Sequence, residues 1–273
     1  LRGPSQPDKT KVFCYKTVGA YPALVAEALG VKDEDFAQLA CAGMRTVELR
    51  ACLDPSYTVP DSYANNFTGG TELEEWVKDR FDYRAYVRDA DIISINMCAN
   101  DMLGYTLLRA EAALKGTGVS DEVIDNAIGE LDKYGDYSAA LVKLLELGNT
   151  LGGIAALPQT LVNSLYVGYS RWVENWEAIM SIIYELNPDV TLVVVGMNNP
   201  LNHLKIRSDS LITFGGAFDG IVQLINYWSA VGSAYSDRYI YVDIMGVETI
   251  MEENEISLEE ILQEEVKCRD EQA

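Results

Sequence analysis

The chain has a single histidine, and its five cysteines include no C-x-x-C pair. Without such spacing the usual His- and Cys-based metal sites are excluded, so neither a metal nor a cofactor is expected. G-x-G-x-x-G and the Walker loop are absent, which removes the glycine-rich phosphate cradles, and no G-x-S-x-G elbow presents a serine on a strand-to-helix turn. Basic residues are also scarce, 21 Lys and Arg against 42 Asp and Glu, a net charge of −21. Neutralising phosphates needs clustered cations, so no nucleic acid is expected as a partner. No apolar run approaches the roughly 18 residues that cross a bilayer, so no membrane span is expected.

What is present is enough for one large α/β domain or two small ones: 273 residues, 48% of them hydrophobic. The organising stretch is Ala90 to Asp101, a β-branched run that ends abruptly in Asn100-Asp101 before a long helical pattern. It reads as a buried strand delivering polar side chains to its carboxyl end, the edge where open α/β sheets bind ligands. Upstream, Leu1 to Lys11 reads as a loop, and Tyr21 to Leu29 as a helix opened by Pro22 and closed by Gly30. A short strand is expected at Asp35 to Ala40 and helical spacing at Arg45 to Leu53. After a turn-rich connection, Thr71 to Asp79 has the Thr71/Glu74 spacing of a capping box.

From Met102 to Pro188 the periodicity is helical throughout, with Leu107 to Leu114, Val123 to Leu131, Ala139 to Leu147 and Pro158 to Leu186 carrying apolar residues at three and four spacing. That exceeds a single crossover helix and predicts an inserted helical subdomain, a lid or a brace, beginning beside Asp101. Val190 to Met197 predicts another strand, ending in Asn198-Asn199, and Tyr239 to Ile244 a further one ending near Asp243, with a helix at Gly216 to Ala234 between them. In the acidic tail, Ser257 and Glu260 repeat the capping-box spacing before Ile261, Leu262 and Val266. Strand and helix alternate, which predicts a parallel, doubly wound sheet covered on both faces. His203, the single histidine, just past Pro200, reads as a surface loop histidine, the alternative being a residue at the rim of that edge that acts as a base. Tyr169, Trp172 and Trp176 form a helical stripe that reads as packing.

The order Tyr21-Pro22-Ala23-Leu24-Val25, then Leu39-Ala40-Cys41-Ala42-Gly43, then Ala90-Asp91-Ile92-Ile93 to Cys98-Ala99-Asn100-Asp101 resembles the GDSL, or SGNH, family of serine hydrolases. The resemblance covers most of the chain outside the helical insert. It implies a flavodoxin-like three-layer α/β/α sandwich with a parallel sheet, built from residues 1–101 and 189–273, with 102–188 as a helical insert or lid after the third family strand. It implies hydrolysis of esters through an acyl-enzyme, by an esterase, a lipase or a carbohydrate deacetylase. A small-molecule, lipid or carbohydrate ester would then be the substrate. Gly43 would donate its backbone N–H and Asn100 its side-chain amide to the oxyanion, with Asp101 shaping the turn and Asn198 and His203 at the rim. A Cys14–Cys41 disulfide, and with it an extracytoplasmic location, is implied as well. Cys98 stands where the family motif has glycine. The family's G-D-S nucleophile and D-x-x-H base have no counterpart here, so the sequence reads as an internal portion of a longer polypeptide that holds them. A non-catalytic binding protein of the same fold is the alternative.

Overall fold

The computed structural model describes residues 20–40, 44–60, 81–129, 137–150, 157–199, 214–234 and 236–245. Helix α1 (Tyr21–Ala28) begins with proline in its first turn, where no N–H is missed, and Gly30 at φ +69° turns the chain away after it. A 3-10 turn (Asp33–Asp35) follows, then helices α2 (Thr46–Leu53) and α3 (Tyr83–Asp89). Asp82 caps α3 by accepting the Ala85 N–H at 3.0 Å.

Strand β1 (Ile92–Ile95) leads into helix α4 (Ala99–Lys115). Helices α5 (Asp121–Ile128), α6 (Tyr137–Thr150) and α7 (Leu157–Leu186) come next. Strand β2 (Thr191–Val195), helix α8 (Phe214–Val231) and strand β3 (Tyr239–Val242) complete the described chain. The protein is therefore mixed α/β, mostly helical, with a small sheet of three parallel strands in the order β1-β2-β3.

The expected strand at Asp35 to Ala40 is not formed. Its acidic start closes the 3-10 turn, and the Leu39 carbonyl accepts the Tyr83 hydroxyl at 2.7 Å instead of a neighbouring strand. Three strands are described, not four. The capping-box helix expected at Thr71 to Asp79 and the acidic tail lie outside the described residues.

Register explains how the sheet is covered. Ile93, Ile95, Leu192, Val194, Tyr239 and Tyr241 share one face. Ile95, Leu192, Val194 and Tyr239 are buried in a single cluster with Trp172, Ile179, Met180 and Ile183 of α7 and Phe218, Ile221, Val222 and Ile225 of α8. The same cluster takes in Met102, Leu107 and Leu114 of α4, so segment 102–188 and the sheet share one hydrophobic core. Both crossovers advance in the same direction along the sheet, and right-handed crossovers then place their helices on one side. The contact between α7 and α8 agrees. Among the described residues α7 and α8 pack on that face, while Tyr21 of α1 reaches Ser94 on the other.

Candidate functional site

The carboxyl end of β1 is held by hydrogen bonds from outside the strand. Asn96 donates its side-chain amide to the Gly196 carbonyl at 3.1 Å, tying the end of β1 to the end of β2. Trp172 donates its indole N–H to the Met97 carbonyl at 2.8 Å. Cys98 then breaks from the strand and α4 begins at Ala99, so Asn100 and Asp101 occupy its first turn. Residues there face unpaired backbone N–H groups and the positive end of the helix dipole.

Across from this turn lies the start of α2. Asn100 donates its amide to the Met44 carbonyl at 3.1 Å. Asp101 accepts the Thr46 backbone N–H at 3.1 and 3.2 Å to its two oxygens, and the Thr46 hydroxyl as well. Its carboxylate does for α2 what an N-cap side chain does, but from another helix. Alongside, the Glu48 carboxylate accepts the Arg45 backbone N–H at 2.8 Å and pairs with the Arg45 guanidinium, both side chains being buried. The sequence does not announce this cluster, although Arg45 and Glu48 stand three apart at a helix start.

Burial dominates the electrostatics. It pushes the Asp101 carboxyl up to about 7, against the opposing effects of the Thr46 hydrogen bonds and the Arg45 charge. The Cys98 thiol is buried too, and burial with the nearby Asp101 charge pushes it well up, so it stays a neutral thiol rather than a nucleophilic thiolate. Tyr241, on β3, is pushed up to about 12 by burial, then by Asp243 and Cys98.

Of the expected site residues, Asn100 and Asp101 come together with Met44, Arg45 and Thr46, the residues that directly follow Gly43. Gly43, His203, Cys14 and Cys41 themselves lie outside the described residues. Asn198 is exposed at the end of β2, while its neighbour Asn199 is buried. The backbone just before them is fixed by Asn226 of α8, whose side chain bonds both the N–H and the carbonyl of Met197 at 2.8 Å. Sequence reasoning missed Asn226, since an asparagine inside an apolar helix carries no motif. Trp172 and Trp176 are buried and stacked, with ring centroids 5.2 Å apart, as a packing stripe should be. Among the described residues no cluster of His, Cys, Asp or Glu could hold a metal ion, and no helix is long and apolar enough to cross a membrane.

No family model, no curated protein and no solved structure matches this chain.

Asn100 can act on a bound group in a defined way. An amide NH2 carries two hydrogens, and the Met44 carbonyl occupies one and so orients the other. Asn100 is half-buried, not sealed in the core. Asp101 has no such freedom. It is buried and committed to Thr46, which suits a positioning residue rather than a base in contact with substrate.

Proposed function

We propose that this chain carries the electrostatic half of an SGNH-type ester hydrolase, an esterase, lipase or carbohydrate deacetylase built on a flavodoxin-like α/β/α sandwich. The observation that supports this reading is the pairing of Asn100 with the Met44 carbonyl. It brings the segment after Gly43 and the Asn-Asp turn, far apart in sequence, to the same edge of a parallel sheet. An oxyanion hole needs donors that are already aimed before charge develops, because reorienting them during reaction costs much of their benefit. Asn100, with its amide held by the Met44 carbonyl, fits that requirement with its second hydrogen, and the Gly43 N–H would supply the second donor. Asp101 fixes the frame by clamping Thr46. No residue of this chain is assigned the role of nucleophile or base, and an extracytoplasmic setting follows from the same family reading.

Hydrolysis of a p-nitrophenyl ester by the natural polypeptide that contains this chain tests the reading. Asn100→Ala should lower turnover by about 10² to 10³, the usual loss of one oxyanion donor. An unchanged rate overturns the role of Asn100. Saturable binding of an ester ligand without any hydrolysis selects the alternative, a binding protein that keeps the fold.

A further inference from the structure

Helix α8 is apolar on two sides. Phe218, Ile221, Val222 and Ile225 are buried in the core, while Leu224, Tyr227, Trp228 and Val231 repeat at three and four spacing and are between 39% and 63% exposed. A helix that is apolar all round is ordinarily enclosed. Beside this outer stripe, between α7, α8 and the 3-10 turn Gly232–Ala234 that follows α8, lies a cleft of about 170 Å³. Helix α7 contributes Trp172, Trp176 and Glu177 to its lining, and α8 contributes Trp228 and Val231.

Two features give the cleft a chemical preference. The first is a fixed aromatic ring. Trp228 donates its indole N–H to the Tyr169 hydroxyl of α7, and Tyr227 packs edge-on to it with ring centroids 6.0 Å apart. With its one donor committed, the exposed part of Trp228 is carbon surface of a π-system, which attracts cations. The second feature is charge. Among the described residues, Glu177 is the only ionisable side chain lining the cleft, and no ion pair engages its exposed carboxylate.

We propose that the cleft between α7 and α8 binds a small, free quaternary ammonium cation, with its methyl groups against the Trp228 ring and its charge balanced by Glu177. Size sets the scale. A cavity of roughly 150 Å³ takes up benzene, so this cleft suits a compact cationic group and is too small for a peptide helix. Polarity sets the kind of cation. A primary ammonium brings three N–H donors that an apolar lining leaves unmet, whereas a fully methylated one carries its charge with no hydrogen bond to satisfy. An anion is opposed by Glu177 and by the net charge of −21. The proposal does not depend on the enzymatic reading.

Calorimetric titration of the intact polypeptide with choline chloride, against sodium chloride at equal ionic strength, tests it. Choline should bind saturably, and 3,3-dimethylbutan-1-ol, its neutral isostere, at least about tenfold more weakly. Trp228→Leu should weaken choline binding about tenfold and Glu177→Gln about fivefold. Leu224→Ala, on the same exposed stripe but outside the cleft lining, should leave it unchanged. Circular dichroism of each variant verifies that the helices persist. Absence of saturable binding, equal binding of the neutral isostere, an affinity unmoved by either cleft substitution, or capture by phosphatidylcholine vesicles without binding of free choline overturns the proposal.

Discussion

At the scale of single residues, Asp101 is the most informative group in the protein. Its carboxyl is pushed from an ordinary 3.8 up to about 7 by burial. The native state therefore holds a proton that the unfolded chain releases between those values. Since stability falls with rising pH wherever the native state binds more protons, the contribution of Asp101 is greatest below pH 4 and declines as pH climbs toward 7. Asp101→Asn should flatten that part of the pH profile of denaturant midpoints while leaving the fold intact. A profile with the same slope in wild type and variant would show that the group titrates elsewhere. Asp101→Ala differs, because it strips the Thr46 N–H of its acceptor, and a buried donor left without one costs about 1–3 kcal/mol.

The elements depend on close approach. Helix α7 packs against α4, α2, α3 and α8, and Gly168 lies where it meets the first turn of α4. A Cβ there would lie 2.8 Å from both the Asp101 carbonyl oxygen and the Met102 Cα, backbone atoms that cannot turn aside. Gly168→Ala should therefore push α7 off the first turn of α4, lowering stability by about 1–3 kcal/mol in a denaturant melt. Because that turn carries Asn100, Gly168→Ala should also weaken any chemistry at the site without touching it. A melt unchanged from wild type would show that the two helices separate freely.

These elements also show what the sequence makes legible. β1, β2 and β3 are each apolar runs ending in polar residues, and the four helices between Met102 and Pro188 follow plain three-and-four periodicity, so local pattern suffices to find them. The Asp35 to Ala40 segment has a comparable local pattern, but a strand exists only where another strand pairs with it, and its hydrogen bond goes to Tyr83. The candidate site is divided likewise. Asn100 and Asp101 are visible as a polar interruption at a strand end. Their partners Met44 and Thr46 are not, because a backbone carbonyl and a threonine hydroxyl carry no sequence signature. The same holds for Asn226, which repairs the end of β2 from a helix about 30 residues away.

For the molecule as a whole, acidity sets the response to its surroundings. With a net charge of −21, the compact chain repels itself, and salt screens that repulsion. The melting temperature should rise between low and roughly physiological ionic strength, where the screening length shrinks from about 30 Å to about 8 Å. A flat or falling salt dependence would mean that local ion pairs such as the buried Arg45–Glu48 outweigh the overall charge.

The Asn96 bond to the end of β2 spans about 100 residues of chain, as does the pairing of Ile92 with Thr191. That span has a kinetic meaning. Closing so long a loop before any other contact forms is entropically costly, whereas α4 to α7 can collapse among themselves through contacts nearer in sequence. The helices should therefore assemble first and carry the two strand ends together, making the sheet a late product of folding. Conservative truncations in the α4–α7 interface should slow refolding, while Ile93→Val in β1 should chiefly speed unfolding. On this account the helical segment is the scaffold on which the parallel strands find their register.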